Sequence, residues 1–286
     1  LSSTALALLQ PGDEVIVLTP TYYANYRSIV EMAKAKVVEV PLNESLGWKL
    51  DLSSFQEKIS KKTRAVILCN PNNPTGSILS REELLEIGRL AQEHDFLIIT
   101  DDVYENFFYE GEVFQLAQEI GLKDRLIRIV SFSKVFALSG WRIGFLHGPQ
   151  ELISEILPIH DNLINCAPAV SQYAALAGLQ HKEEIVEKAL AEYTERREMM
   201  KRGLEELNEY LEFSVPQGAY YFFPKILGME NSEGFCFDML EKAKLAAVPG
   251  SDFGPGGEGH IRFCFGRSRE DIIEGLSRLK TYLSSR

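Results

Sequence analysis

The chain has 286 residues, which is enough for two domains of roughly 100–200 residues each. Its 45% hydrophobic and 25% charged residues are typical of a globular enzyme. The formal net charge of −11 argues against binding to nucleic acid or to an anionic membrane surface, because both need a basic face. No apolar run reaches the roughly 18 residues of a membrane-spanning helix.

The four cysteines are widely separated, at Cys69, Cys166, Cys236 and Cys264. Their positions do not match the spacing of metal ligands, so we expect no metal site. Separated thiols without a disulfide pattern predict a cytoplasmic protein with reduced cysteines.

The chain begins on Leu1 and not on Met, inside an apolar helical pattern made by Leu1, Ala5, Leu8 and Leu9. Translation rarely starts within a helix. We therefore expect an amino-terminally truncated chain.

Strand-like and helix-like segments alternate through the first half of the sequence. Strands are predicted at 14–18, 37–40, 65–69, 96–100 and 126–130, and helices at 23–33, 51–59 and 80–93. Ser80 and Glu83 have the spacing of a capping box at the start of the third helix. This alternation predicts an α/β fold with a mostly parallel sheet covered on both faces.

The second half begins with one more strand, at 142–147. A long, charged amphipathic helix is predicted at 182–207. A smaller α/β unit follows, with strands at 220–223 and 261–265 and helices at 235–245 and 269–282.

The most informative segment is Ser131-Phe132-Ser133-Lys134, which follows an apolar run and precedes Arg142 by eight positions. Lys134 is poorly placed for solvent, and a nearby cation favours its neutral, nucleophilic form. Two serines and an arginine are suitable donors to a phosphate. A nucleophilic lysine beside phosphate donors predicts pyridoxal phosphate, which carries both an aldehyde and a phosphate. Alone, such a tetrapeptide is more often a plain loop.

Two further motifs follow predicted strands. Asn70-Pro71-Asn72-Asn73-Pro74-Thr75-Gly76 forces an irregular turn where open α/β sheets bind ligands, although a plain turn is the alternative. Asp101 follows the apolar run 96–100. Its carboxylate could cap the next helix or hold a proton on a heteroaromatic nitrogen.

These motifs together resemble the class I/II aminotransferases, which are fold-type I pyridoxal-phosphate enzymes. The ordered set is Pro20-Thr21-Tyr22, Asn73-Pro74-Thr75-Gly76, Asp101-x-x-Tyr104, Ser131-x-Ser133-Lys134, Arg142, Pro216-x-Gly218-Ala219-Tyr220-Tyr221, Val248-Pro249-Gly250-Ser251-x-Phe253-Gly254 and Ile261-Arg262-Phe263. The resemblance covers essentially the whole chain. The segment Ser139 to Gly144 points to the aspartate, aromatic and alanine branch.

The resemblance implies a three-layer α/β/α large domain at 1–180, with its amino-terminal part missing. It also implies an interdomain helix and a smaller C-terminal α/β domain at 181–286. In the family, a glycine-containing loop just before the first helix helps to hold the cofactor phosphate. We therefore expect weakened cofactor binding if that loop is absent.

Roles for the ring-facing residues follow from the resemblance. Lys134 is implied to bind the cofactor aldehyde as a Schiff base and to move the substrate proton. Asp101 is implied to keep the pyridine nitrogen protonated, and Tyr22 to stack on the ring. Tyr23 and Tyr26 compete with Tyr22 for that stacking role.

The polar contacts are implied in the same way. Asn73 and Tyr104 would bond the phenolic oxygen, with Tyr104 as a simple core residue left as an alternative. Phosphate donors would be Ser131, Ser133 and Arg142, of which we expect Arg142 to be buried. The substrate α-carboxylate would bind Arg262 together with Asn73, and a structural salt bridge is the alternative for Arg262.

The resemblance thus implies an aminotransferase that moves an amino group from an α-amino acid to a 2-oxo acid, 2-oxoglutarate by family inference, in a ping-pong cycle. It also implies a homodimer. Two alternatives stay open: a lyase or carbon–carbon bond-forming enzyme of the same fold, and a ligand-sensing domain of a transcription regulator.

Overall fold

The computed structural model describes residues 1–111 and 113–285. Its largest sheet has seven strands. In chain order they are β1 (Glu14–Thr19), β2 (Lys36–Asn43), β3 (Lys49–Leu50), β4 (Thr63–Cys69), β5 (Leu97–Asp101), β6 (Leu126–Ser131) and β7 (Gly144–His147). They are hydrogen-bonded in the order β3-β2-β1-β4-β5-β6-β7. The predicted strands of the first half are therefore confirmed to within a few residues.

Five of these strands, β2, β1, β4, β5 and β6, run parallel, while β3 and β7 are antiparallel edge strands. From β1 the chain proceeds first to β2 on one side and then to β4 on the other. Such a reversal of strand order opens a crevice at the carboxyl ends of the strands, where α/β folds bind ligands. The register places Cys69 beside Asp101, and Asp101 beside Ile129, at that edge.

Ten α-helices are present in the described residues. They are α1 (Ser2–Leu8), α2 (Tyr23–Met32), α3 (Leu52–Glu57), α4 (Arg81–His94), α5 (Phe132–Val135), α6 (Gln150–Leu163), α7 (Ala169–Gln180), α8 (Lys182–Glu205), α9 (Ser232–Ala243) and α10 (Arg269–Ser284). The capping box of α4 is confirmed, because Ser80 Oγ accepts from the Glu83 amide and the Glu83 carboxylate accepts from the Ser80 amide. The sequence pattern did not predict α6 or α7. In α7 apolar residues lie on all sides, so no stripe marks the helix.

Alternate residues of the central strands face opposite sides of the sheet. Val15, Val17 and Ile67 belong to one buried core, which also includes residues of α1, α2 and the C-terminal part of the chain. Ile16 and Val66 belong to a second core that includes residues of α3 and α4. A mostly parallel sheet covered on both faces confirms the predicted α/β class.

Two small antiparallel sheets form the C-terminal part. One pairs β8 (Leu211–Glu212) with β10 (Lys225–Ile226), and the other has β11 (Val248–Pro249), β12 (Ile261–Cys264) and β9 (Tyr221–Phe222), with β12 in the centre. This part contacts the loops of the large sheet directly: the Gln217 and Gly218 amides donate to the Gly76 carbonyl oxygen, and the Thr21 amide donates to the Phe253 carbonyl oxygen. These contacts bring β12 to the carboxyl edge of the large sheet.

Across the described residues, the helices are all too short or too polar to span a bilayer.

Candidate active site

The carboxyl edge of the parallel strands carries most of the candidate site residues. Asp101 is the last residue of β5 and Ser131 the last residue of β6. Tyr22 lies just after β1, and Asn73 lies in the turn after β4. The strand order therefore gathers residues that are far apart in the sequence.

Asp101 is 6% exposed and has two unlike carboxylate oxygens. Its Oδ2 accepts a hydrogen bond of 2.8 Å from the Tyr26 hydroxyl. Its Oδ1 is buried and has no hydrogen-bond partner among the described residues. Burial raises the pKa of Asp101, while the Tyr26 hydrogen bond, the positive amino terminus of Leu1, a backbone hydrogen bond from Val103 and, last, the charge of Lys134 act in the opposite direction. A buried, unpartnered acceptor of this kind is suited to a donor from a bound molecule.

Lys134 lies in the short helix α5 and is half-buried. Burial lowers the pKa of its amine, and the positive charges of Arg262 and Arg142 lower it further, while the negative charge of Asp101 opposes them. A lowered pKa increases the share of the neutral amine, which is the nucleophilic form. Lys134 and Asp101 are close enough for each charge to shift the pKa of the other. The structure thus brings the two predicted catalytic residues together.

Arg262 projects from β12 and has a polar and an aromatic environment. Its Nη1 donates to Asn73 Oδ1 at 2.8 Å. Its guanidinium carbon lies 4.3 Å from the ring centre of Tyr221 and 5.0 Å from that of Phe253. The Nε atom is buried without a partner, and among the described residues no carboxylate pairs with this side chain. Arg262 is therefore free to bind a carboxylate from outside the chain, and the alternative of a structural salt bridge does not hold for the described residues.

Asn73 and Tyr104 are both buried, at 4% and 3% exposure. The Tyr104 hydroxyl lies 2.9 Å from the Tyr221 hydroxyl, and its ring packs edge-on against Tyr220 and Tyr221. Burial raises the pKa of Tyr104, so its hydroxyl keeps its proton at neutral pH. A protonated hydroxyl at this position can donate a hydrogen bond.

The three tyrosines after β1 have different environments. Tyr26 is buried and bonded to Asp101, and the Tyr23 hydroxyl donates to Glu39 Oε1 at 2.5 Å. Tyr22 is 45% exposed, with its ring edge-on to Tyr26 at a centroid distance of 6.0 Å. Because Tyr23 and Tyr26 are each held by a carboxylate, Tyr22 is the ring best placed to stack on a ligand.

The predicted phosphate donors lie around α5. Ser131 Oγ accepts from the Ser133 amide and caps the helix, and both serines are half-buried. Arg142 is exposed, which contradicts the expected burial. It lies two residues before the edge strand β7, and its Nη1 donates to the Ser139 carbonyl oxygen at 2.8 Å. An arginine at a sheet edge reaches solvent, so its charge does not require a buried partner.

Two features of the site were missed by sequence reasoning. The first is the Tyr26 hydroxyl on Asp101, and the second is the Tyr221 side chain between Tyr104 and Arg262. Tyr221 stands in a motif that the sequence marks, and the sequence suggests Tyr26 only as a candidate for stacking on the ring. The hydrogen-bond partner of Tyr26 is 75 residues away and that of Tyr221 is 117 residues away. No local pattern records a contact over such a separation.

The neighbouring Asp102 is held by contacts with other side chains of the chain. Its Oδ2 accepts from Arg128 Nε at 2.6 Å and from the Thr100 hydroxyl at 3.2 Å. Arg128 also pairs with Glu105. Burial raises the pKa of Asp102 to about 6, although Arg128 acts to lower it. These bonds hold the turn that follows Asp101.

Comparisons with known proteins identify the family. The family model described as aminotransferase class I and II matches residues 1–279. The aspartate aminotransferase of Pyrococcus abyssi is 36% identical over 282 residues, covering 97% of this chain and 72% of that protein. Aromatic-amino-acid aminotransferase 2 of Thermococcus litoralis is 35% identical over 283 residues, with the same coverage.

A solved structure is similar over the whole fold. The aromatic aminotransferase from Pyrococcus horikoshii superposes with a TM-score of 0.94 at 35% identity, covering 100% of this chain and 76% of that chain. Sequence family, curated relatives and fold therefore agree. The chain belongs to the class I and II aminotransferase family.

Proposed function

We propose that the protein is a pyridoxal-phosphate-dependent aminotransferase that moves an amino group from an α-amino acid to a 2-oxo acid. One observation carries the proposal: the buried, unpartnered Oδ1 of Asp101 lies within electrostatic range of Lys134, whose pKa is lowered. A proton acceptor and a nucleophilic amine are the two groups that a pyridine aldehyde requires.

The chemistry of the donor set fits this cofactor. Asp101 offers an acceptor for a protonated ring nitrogen, and Tyr104 offers a hydroxyl for the phenolic oxygen. Ser131, Ser133 and Arg142 lie around α5 as donors for a phosphate, while Tyr22 has an exposed aromatic ring. When bound, the cofactor supplies the electron sink that makes the substrate α-carbon acidic.

Lys134 would have two tasks. Its Nζ would hold the cofactor aldehyde, and as a free amine Nζ would take the proton from the substrate α-carbon. A base must be neutral to accept a proton, and partial burial together with two arginine charges favours the neutral amine.

Asp101 would hold a proton at the ring nitrogen throughout the cycle. The carboxylate is buried, so a charge–charge contact is strong there, and Tyr26 fixes the orientation of its other oxygen. A bound positive ring nitrogen would also offset the burial that raises the pKa of Asp101.

Arg262 would bind the substrate α-carboxylate. Asn73 occupies one guanidinium nitrogen, and the Tyr221 and Phe253 rings lie beside the group. A guanidinium held in one orientation suits two parallel hydrogen bonds to a carboxylate. A carboxylate bound there would lie near Lys134, because the charge of Arg262 acts on the pKa of the Lys134 amine.

A homodimer belongs to the same proposal. Helix α7 exposes a row of apolar side chains, Val170, Tyr173, Leu176 and Leu179. Large exposed apolar patches mark interaction surfaces. We also propose 2-oxoglutarate as amino acceptor, a cytoplasmic location, and a domain boundary near residue 180. All three rest on the sequence.

A half-reaction tests the function. The purified protein, loaded with pyridoxal phosphate, is mixed with aspartate, an aromatic amino acid or alanine alone. We expect stoichiometric conversion of the cofactor to its amine form, seen by absorbance, and reversal by 2-oxoglutarate. A lyase would turn over the amino acid without this conversion. A ligand-sensing domain would bind the amino acid and release no 2-oxo acid. Either result would overturn the proposal.

A further inference from the structure

Tyr221 belongs to a motif to which the proposed function assigns no role, yet it touches both halves of the site. Its hydroxyl lies 2.9 Å from that of Tyr104, and its ring centre lies 4.3 Å from the guanidinium carbon of Arg262. We infer that Tyr221 is a positioning residue that orients the Tyr104 proton with its hydroxyl and supports Arg262 with its ring. The inference rests on the proposed function.

The hydroxyl part follows from proton counting. Each tyrosine hydroxyl has one proton, so only one of the pair can be the donor in the bond between them. If Tyr104 donates to the phenolic oxygen of a cofactor, then Tyr221 must donate to Tyr104. Both residues are buried, at 3% and 6% exposure, and burial raises both pKa values, so both protons are retained. A donor that itself accepts a hydrogen bond is polarised and donates more strongly.

The ring part follows from the contacts of Arg262. A guanidinium within about 6 Å of an aromatic ring centre is attracted to its face. The Tyr221 ring meets that condition, and Phe253 provides a second ring at 5.0 Å. With Nη1 held by Asn73, these rings restrict how the guanidinium can turn. Tyr221 therefore fixes the direction from which a carboxylate approaches.

The strand pairing keeps Tyr221 in place. Tyr221 lies in β9 opposite Cys264 of β12, two residues beyond Arg262. Its neighbour Tyr220 stacks on Tyr193 with the ring planes at 18°. A side chain fixed by a strand pair and an aromatic cluster is suited to hold two other groups in a set geometry.

Two substitutions separate the two roles. Tyr221→Phe removes the hydroxyl and keeps the ring, whereas Tyr221→Leu removes both. A donor on the phenolic oxygen stabilises its anion and so lowers the pKa of the bound chromophore. We therefore expect Tyr221→Phe to raise that pKa by about 0.3–1 unit, measured by absorbance titration, with KM for the amino acid within about twofold. Tyr221→Leu should show the same pKa rise and also raise KM about 5–30-fold.

Matched controls use the same aromatic cluster. Tyr193→Phe deletes a hydroxyl beside Tyr220 and should leave both quantities unchanged. Phe253→Leu should raise KM without moving the chromophore pKa, since it touches Arg262 and has no hydroxyl. Thermal melting of each variant separates loss of fold from loss of positioning.

The outcomes are distinct. An unchanged chromophore pKa in Tyr221→Phe would overturn the hydroxyl role, and an unchanged KM in Tyr221→Leu would overturn the ring role. Failure of the proposed function appears elsewhere, as a wild-type protein that acquires no cofactor chromophore or performs no half-reaction.

Discussion

Two regions of the molecule differ in burial. The carboxyl edge of the central strands is buried by contacts within the chain, whereas the segment that follows Lys134 is mostly exposed. At the strand ends, Asn73, Asp101 and Tyr104 are at most 6% exposed, and each contacts a side chain from a distant element. After Lys134, Arg142 is exposed, and Tyr173 is 74% exposed. The residues that we propose for contact with the cofactor ring and the substrate carboxylate are thus held within the chain, whereas the other side is an open surface that we propose a second copy covers.

Replacing Lys134 should have the largest effect on the half-reaction rate, because Lys134 is both the proposed nucleophile and the proposed base. We expect Lys134→Ala to slow the half-reaction by about 10⁴-fold. Stopped-flow absorbance measures this rate. Lys182→Ala, at the start of α8, serves as the control. A rate above roughly one-tenth of the wild-type rate would contradict the role of Lys134.

The two adjacent aspartates offer a matched comparison. Asp101→Asn should lower the half-reaction rate by about 10²–10³-fold, because an amide cannot supply the negative charge at the ring nitrogen. Asp102→Asn should stay within roughly tenfold of wild type, since Asp102 contacts Arg128 and Thr100. Equal losses in both variants would show that Asp101 acts only through the fold.

Arg262 links substrate binding to the pKa of Lys134. Arg262→Leu should raise KM for the amino acid about 10²–10³-fold through the loss of charged hydrogen bonds. It should also raise the pKa of Lys134, because the arginine charge lowers that pKa in the wild type. The pH profile of cofactor incorporation should then move to higher pH, since the neutral amine forms only at higher pH.

Arg262→Lys retains the positive charge and is the control for the pH profile. It should keep the profile near the wild-type position while KM still rises, because lysine lacks the two-pronged geometry. If the pH profile of cofactor incorporation is the same in Arg262→Leu and in the wild type, the electrostatic coupling between Arg262 and Lys134 is refuted.

Substitutions in α7 test whether its exposed apolar side chains form the proposed homodimer contact. Tyr173→Glu combined with Leu176→Glu should weaken self-association by roughly 10²-fold or more, because each buried apolar side chain stabilises an interface by about 1.5–3 kcal/mol. Light scattering over a concentration series measures the change. Ile273→Glu, on an equally exposed residue of α10, is the control. A wild-type protein that is monomeric throughout would contradict the proposed homodimer.

The pattern of neighbouring residues in the sequence predicted the helices and strands that neighbouring residues determine. Buried strands such as β5 are unbroken apolar runs, and the capping box at Ser80 is visible in four residues. The positions of Asp101 at the end of β5 and of Lys134 three residues after β6 follow from the same runs. The resemblance to a family then assigned them expected roles.

Long-range contacts could not be predicted in this way. The bonds from Tyr26 to Asp101 and from Tyr104 to Tyr221 depend on how the strands are ordered in space. The expected burial of Arg142 was wrong because a motif marks a residue type without stating whether its strand lies at a sheet edge. Very short strands, such as β8 and β11, leave almost no periodic signal.

The central claim is that Lys134 is the residue to which the cofactor binds covalently. Borohydride reduction of the protein loaded with pyridoxal phosphate, followed by peptide mass spectrometry, tests it directly. We predict one peptide with the added mass of the reduced cofactor, and fragment ions that place this mass on Lys134. A label on a different lysine, or no label on a protein that shows the cofactor absorbance, would contradict the account.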